Sequence, residues 1–212
     1  MGTLLSNPEV DKINCAYQRR VQEHRQDKQS MAEYTRSAGD KKLHKYKNSK
    51  RPTIVPQAPS LIINGLYLGN MYDVVSSSSS QLQSLNITAV VNATTISYDL
   101  PRNIQTIQMN IEDDEYENIH ALLPVMVHFI EEKITEGRNV MVHCEHGVSR
   151  SATIVAAFLI KNLEMSAVDA LKMTRQKRKL ICPNEGFLES LVAFDTKHKV
   201  KLKDLKTVCS AV

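Results

Sequence analysis

Apolar residues recur along positions 60–198 in two rhythms, and the way these alternate sets the expected architecture. Strand-length apolar runs rich in Val and Ile fall near 61–69, 87–93, 104–111 and 139–143. Elsewhere apolar residues return every three or four positions, which predicts helices near 118–136, 152–160, 166–178 and 185–198, and a short one at 81–85. Segment 152–160 is apolar on all sides, so its helix should be buried. Ser166 and Asp169 form a capping pair for the helix that follows them, and Pro124 must sit in the first turn of its helix or kink it. Strands alternating with helices predict an α/β domain over 60–198, with a central, mainly parallel sheet flanked by helices.

The flanks have another character. Residues 1–59 form a basic extension, in which Asn7-Pro8-Glu9 starts a helix pattern carried by Val10, Ile13, Tyr17 and Val21 to about residue 33. Prolines then mark 52–59 as an extended linker, and residues 199–212 are expected to be a basic tail. The run of serines at 76–80 is low in complexity and predicts a loop.

Composition fits one substantial core: 212 residues, 42% hydrophobic, without tryptophan. The net charge of +4 hides a division, since residues 1–60 carry twelve Lys or Arg against six Asp or Glu, while 61–195 carry ten against sixteen. The domain is therefore acidic and its flanks basic, with lysines and arginines densest at 41–51. Such runs serve as solvated linkers, or meet an anionic membrane surface, the nuclear import machinery or an acidic partner. Scarce aromatic residues argue against nucleic acid. Met1-Gly2-Thr3-Leu4-Leu5-Ser6 matches the N-myristoylation pattern at Gly2, and the 41–51 cluster could add the second signal that stable anchoring needs. Four cysteines without a paired framework suggest a reducing compartment, and neither a leader nor an apolar stretch of eighteen residues is evident. The expected location is the cytoplasm, with membrane association or the nucleus as alternatives.

One segment carries the chemistry: His143-Cys144-Glu145-His146-Gly147-Val148-Ser149-Arg150-Ser151. It joins the buried strand ending at Val142 to the buried helix, so it is a strand-to-helix turn. In such a turn free backbone N–H groups converge and the helix dipole adds partial positive charge, which binds an oxyanion. Glu145, His146, Gly147, Val148 and Ser149 build the loop, and the planar guanidinium of Arg150 can grip two phosphoryl oxygens. The helix start and a nearby cation favour thiolate at Cys144, the form that attacks phosphorus. Ser151 can donate a hydrogen bond to the departing sulfur, and His143 can order the loop through its ring nitrogens. No spacing of His, Cys and carboxylates suggests a metal, and no cofactor is expected.

Cys144, five intervening residues, Arg150 and Ser151 resemble the signature of the cysteine-dependent protein tyrosine phosphatase superfamily, and the Gly147-Val148-Ser149-Arg150-Ser151 ending is most similar to its dual-specificity branch. Gly65-Leu66-Tyr67-Leu68-Gly69, Ile87-Thr88-Ala89-Val90-Val91-Asn92, Asn118-Ile119 before Phe129-Ile130, and Pro183-Asn184-Glu185-Gly186-Phe187 agree in order and spacing. The resemblance implies a phosphatase fold of the dual-specificity type. It also implies hydrolysis of phosphotyrosine, phosphoserine and phosphothreonine on proteins through a phosphocysteine intermediate. An aspartate some thirty residues before the cysteine would serve as acid; Asp113 and Asp114 both qualify, and counting back from Asn118-Ile119 favours Asp113. Asn184 would cap the last helix, with bracing of the phosphate loop as an added role. Cys182 reads as packing, with a reversible disulfide to Cys144 as the alternative.

Glu145 and His146 depart from the small or uncharged residues that many relatives carry after the cysteine. Glu145 argues against a polyanionic lipid substrate. His146 is shared with the messenger-RNA capping triphosphatases, so RNA 5' ends or another non-protein phosphate stay open as alternatives. So does a weakly active phosphate-binding scaffold, since Glu145 beside Cys144 would disfavour the thiolate by repulsion.

Overall fold

The computed structural model describes residues 58–75 and 80–210. Gly2, the helix pattern to residue 33 and the 41–51 cluster therefore lie outside the described residues. Five strands form one sheet in the order β1-β2-β5-β3-β4: β1 Ser60–Ile63, β2 Leu66–Asn70, β3 Ile87–Asn92, β4 Gln105–Gln108 and β5 Asn139–Cys144. Only the β1–β2 pairing is antiparallel. The single strand expected over 61–69 is in fact two, folded back at Asn64-Gly65; apolar alternation runs on through this turn and hides it. The strand expected over 104–111 pairs only as far as Gln108, after which the chain leaves the sheet to carry the acidic segment.

Seven helices are described: α1 Met71–Val75, α2 Ser80–Ser84, α3 Leu123–Thr135, α4 Arg150–Asn162, α5 Ala167–Lys177, α6 Glu185–Phe194 and α7 Leu202–Ser210. A 3-10 turn at Ile119–Ala121 precedes α3, and Pro124 falls in the first turn of α3, where its missing N–H is harmless. The Ser166 hydroxyl accepts from the Asp169 N–H at 3.1 Å and so caps α5. Helix α6 stops at Phe194 rather than near 198, because the Asp195 carboxylate turns aside to accept from the Ala167 N–H at 2.8 Å. The expected basic tail is also different: 202–210 form α7, which packs on α5 and α6 through buried Leu205 and Val208 while its lysines face water.

The sheet is covered on both faces, which is why β3 and β5 are buried along almost their whole length. On one face Val90 and Met141 pack with Val74, Leu82 and Ile87 beneath Tyr67, Leu85, Tyr98, Leu100 and Ile104. Side chains alternate across a strand, so Ala89, Val91, Val140 and Val142 face the other way, toward α3 and α4. Every residue of α4 from Arg150 to Ile160 is buried, with α3, α5 and α6 packed around it. Burying each of Ile154, Val155 and Leu159 contributes roughly 1.5–3 kcal/mol. That anchors the start of α4 just beyond the C-terminal end of central strand β5.

Candidate active site

Between β5 and α4 the chain turns in five residues, 145–149, and outside donors fix how each peptide unit faces. The Met71 N–H donates to the Glu145 carbonyl at 3.2 Å, the Arg178 Nε–H to the Gly147 carbonyl at 2.9 Å, and the Cys182 N–H to the Val148 carbonyl at 2.9 Å. In a planar trans peptide the carbonyl and the following N–H point in opposite directions. Carbonyls held outward therefore turn the N–H groups of His146, Val148 and Ser149 inward, which makes an anion cradle. Gly147 has φ +69°, and a Cβ there would lie 2.6 Å from the Gly69 carbonyl oxygen and 2.7 Å from Arg178 Nη2. Only glycine fits.

The cradle surrounds a buried sulfur. Cys144 is 1% exposed, and its Sγ receives the Gly147 N–H at 3.2 Å and lies 3.2 Å from the Ser151 hydroxyl. Both contacts suit a sulfur that carries negative charge. Arg150 donates from Nη1 to the Ile111 carbonyl at 3.0 Å, and its Nε is buried without a hydrogen-bond partner. A phosphoryl oxygen is one acceptor that such a buried donor can take.

Ser149 stands where a helix is usually capped, yet its side chain makes no cap bond. Its hydroxyl donates instead to Asp113 Oδ1 at 2.7 Å and accepts from the Asn184 N–H at 3.3 Å. This leaves the first N–H groups of α4 directed at the cradle. Asn184 Nδ2 also donates to Asp113 Oδ1 at 3.0 Å, while Asn184 Oδ1 caps α6 through the Phe187 N–H at 3.0 Å. Asn184 therefore caps α6 with its side-chain oxygen, touches Asp113 with its side-chain nitrogen, and meets the loop through its backbone N–H at Ser149. Asp113 Oδ2 lies 3.6 Å from Arg150 Nε. Asp114 is used locally: its Oδ1 accepts the Tyr116 N–H at 2.9 Å and its carbonyl the Glu117 N–H at 3.1 Å. Geometry therefore separates the two aspartates, with Asp113 against the loop.

Two further layers hold the loop, one built on His143 and the other on Arg178. Burial pushes His143 down to about 4, so its ring is neutral at pH 7. Its Nδ1 lies 3.3 Å from the Cys144 carbonyl and acts there as donor, which leaves Nε2 to accept the Tyr98 hydroxyl. Burial raises the Tyr98 phenol, so it keeps the proton it donates. On the other side, burial lowers the Arg178 guanidinium from its ordinary range, and the carboxylate of buried Asp73 and the charge of Cys144 oppose this only in part. Arg178 is one of four cations within 175–179, and Tyr98 sits on an irregular loop, so no local pattern marks either residue.

Glu145 and His146 are half-buried at the mouth, and Glu145 Oε2 is 3.8 Å from Arg150 Nη2. The loop uses the Glu145 backbone, which leaves its side chain to face what enters. Cys182 is exposed rather than packed, and the thiol it meets is that of Cys209.

A family model described as dual specificity phosphatase, catalytic domain, matches residues 66–197. Dual specificity protein phosphatase 1 of Arabidopsis thaliana is 36% identical over 134 residues, covering 63% of this chain and 67% of that protein. Among solved structures, the human tyrosine phosphatase-like serine/threonine/tyrosine-interacting protein superposes with a TM-score of 0.61 at 28% identity, covering 65% of this chain and 95% of its own. DUSP15 superposes with a TM-score of 0.63 at 27% identity, covering 70% and 95%.

Proposed function

The chain belongs to the dual specificity phosphatase family and is a protein phosphatase acting on phosphorylated proteins; from that premise we propose a two-step reaction in which Cys144 is the nucleophile and Asp113 the acid and base. The Cys144 thiolate attacks phosphorus while Asp113 delivers its proton to the departing alcohol or phenol oxygen, giving phosphocysteine and free hydroxyl. Asp113, now ionised, takes a proton from water as the water oxygen attacks phosphorus. Phosphate leaves, and the sulfur departs as thiolate, stabilised by the Ser151 hydroxyl and the Gly147 N–H. Arg150 and the inward N–H groups hold the equatorial oxygens through both steps.

The observation that carries this reading is the placing of Asp113 over the loop by Ser149 and Asn184, at 2.7 and 3.0 Å. Hydrolysis of phosphotyrosine, whose unactivated phenol oxygen needs a proton to leave, tests it. Cys144→Ser should abolish turnover, and Asp113→Asn should slow it by about 10²–10⁴, the usual worth of a general acid. An unchanged rate in Cys144→Ser would sink the mechanism; a larger loss in Asp114→Asn than in Asp113→Asn would sink only the choice of acid.

A second reading is favoured by one contact. The Glu145 carboxylate 3.8 Å from Arg150 competes with phosphate for that cation, which fits a domain that recognises phosphate and turns it over slowly. Glu145→Gln raising the rate many-fold would support it. For location, the reading is a cytoplasmic enzyme drawn to anionic membranes through Gly2 and the 41–51 cluster, supported by the sequence pattern alone.

A further inference from the structure

Beyond the catalytic loop, the described residues carry a pair of neighbouring free thiols. A groove of about 960 Å³ lies between α5, the segment 179–182 and α7, and Cys182 and Cys209 both line it. Cys182 is exposed, Cys209 half-buried, and both are free thiols. A single guanidinium nitrogen, Arg175 Nη1, donates to the Ile181 carbonyl at 3.1 Å and to the Cys209 carbonyl at 2.8 Å, so the two backbones are held side by side.

We propose that Cys182 and Cys209 are a redox modification site, forming a reversible disulfide that pins α7 to the segment ahead of α6. Hydrogen peroxide is the class of oxidant. The exposed Cys182 sulfur attacks one peroxide oxygen, the O–O bond breaks, and water leaves, so that the sulfur carries a hydroxyl as sulfenic acid. The Cys209 sulfur then attacks that sulfur, the S–O bond breaks, and the hydroxyl departs with the Cys209 proton as a second water. Two thiols lose two electrons and two protons, and one peroxide becomes two waters.

Burial and contact with Cys182 push the Cys209 thiol up to about 11, in keeping with a protonated partner that waits for the oxidised sulfur. The bridge would be fixed next to the catalytic machinery. The Cys182 N–H holds the Val148 carbonyl of the phosphate loop, and Asn184, two residues on, holds Asp113. Cys144 is the competing target for peroxide, and it is 1% exposed.

The test exposes the reduced full chain to a small molar excess of hydrogen peroxide, blocks remaining thiols by alkylation, and maps tryptic peptides without reduction. Cleavage after Lys179, Lys197 and Lys206 isolates Cys182 on peptide 180–197 and Cys209 on peptide 207–212. The expected species is those two peptides joined, two hydrogens lighter than their sum, absent after dithiothreitol and absent from Cys209→Ser. Cys209→Ser should keep its phosphatase activity in reductant. Recovery of Cys182 and Cys209 both alkylated while Cys144 is oxidised would overturn the proposal, as would Cys182 joined to Cys144. A melting temperature read on Cys144→Ser supplies a second arm. It should rise on oxidation and return with dithiothreitol, and a fall would mean that the bond forms only in unfolded chain.

Discussion

Replacing Gly186 with alanine should disable Asp113, the acid proposed above, without touching it. A Cβ at Gly186 would lie 1.8 Å from the Glu115 carbonyl oxygen, 2.7 Å from its carbon and 3.1 Å from Glu115 Cα. The obstacle is backbone, so no side chain can swing aside. A carbon–oxygen contact is comfortable at about 3.3 Å, so the acid-bearing segment and α6 must part by roughly 1.5 Å. The turn at 114–117 is closed by the Tyr116 and Glu117 N–H bonds to Asp114, so a push at Glu115 reaches Asp113. If α6 moves instead, it carries Asn184 with it. Either way the Asn184 bond to Asp113, now 3.0 Å, stretches beyond hydrogen-bonding range, and where the acid segment yields, the 2.7 Å bond from Ser149 stretches with it.

The loss should then depend on the leaving group. An alkyl phosphate, whose alkoxide needs a proton, should lose about 10²–10³ in kcat, within the range of a general acid. A nitrophenyl phosphate, whose phenolate leaves unaided, should lose less than about tenfold. The assay is a series of phosphates of graded leaving-group basicity, run below the melting temperature of the variant, because overpacking also costs about 1–3 kcal/mol of stability. Equal losses across the series would refute the reasoning, since they would place the damage in the phosphate loop. Full activity on the alkyl phosphate would refute it too.

Two other outcomes follow from the layers beneath the loop. Arg178→Lys removes the Nε–H donor to the Gly147 carbonyl and lets that peptide turn, so inhibition by orthovanadate should weaken about tenfold to a hundredfold, the worth of a charged hydrogen bond; unchanged inhibition would refute it. His143 sits near 4 in the folded chain against about 6.5 unfolded, so between those values only the unfolded chain takes up the proton. Its contribution is therefore complete above pH 6.5 and is lost as pH falls, by about 3 kcal/mol near pH 4. Burial raises Asp73, which acts in the opposite sense, so the measurement is the difference in urea unfolding between wild type and His143→Gln at pH 7 and pH 5. An equal drop in both proteins would remove His143 from the account.

The parts legible in the sequence are those whose function requires neighbours in the chain. Nucleophile, cradle and Arg150 must occupy one strand-to-helix turn, so 143–151 could be read directly, and the apolar surroundings of 139–160 gave its setting. Asp113 was recoverable only by resemblance, because Asp114 is chemically the same and the choice rests on contacts with Ser149 and Asn184 far along the chain. The turn at Asn64-Gly65 was masked by apolar residues on both sides. Helix α7 was masked by lysines, although Leu202, Leu205 and Val208 recur every three positions.

The same contacts explain why the acid and the cradle form one device. A capping serine at the start of α4 would spend its hydroxyl on the helix; here Ser149 gives it to Asp113 and receives the Asn184 N–H, which leaves the N–H groups of α4 for phosphate. Asn184 in turn caps α6 with one side-chain atom and holds Asp113 with the other. A change that moves α6 must therefore move the acid, and a change at Ser149 must disturb the acid and the helix start together. Glu145 stands apart from this coupling. Met71 fixes its backbone, and its carboxylate lies in the mouth 3.8 Å from Arg150. It can change what the site accepts without altering how the loop is built, and it is there that selectivity among phosphoproteins can vary on an unchanged frame.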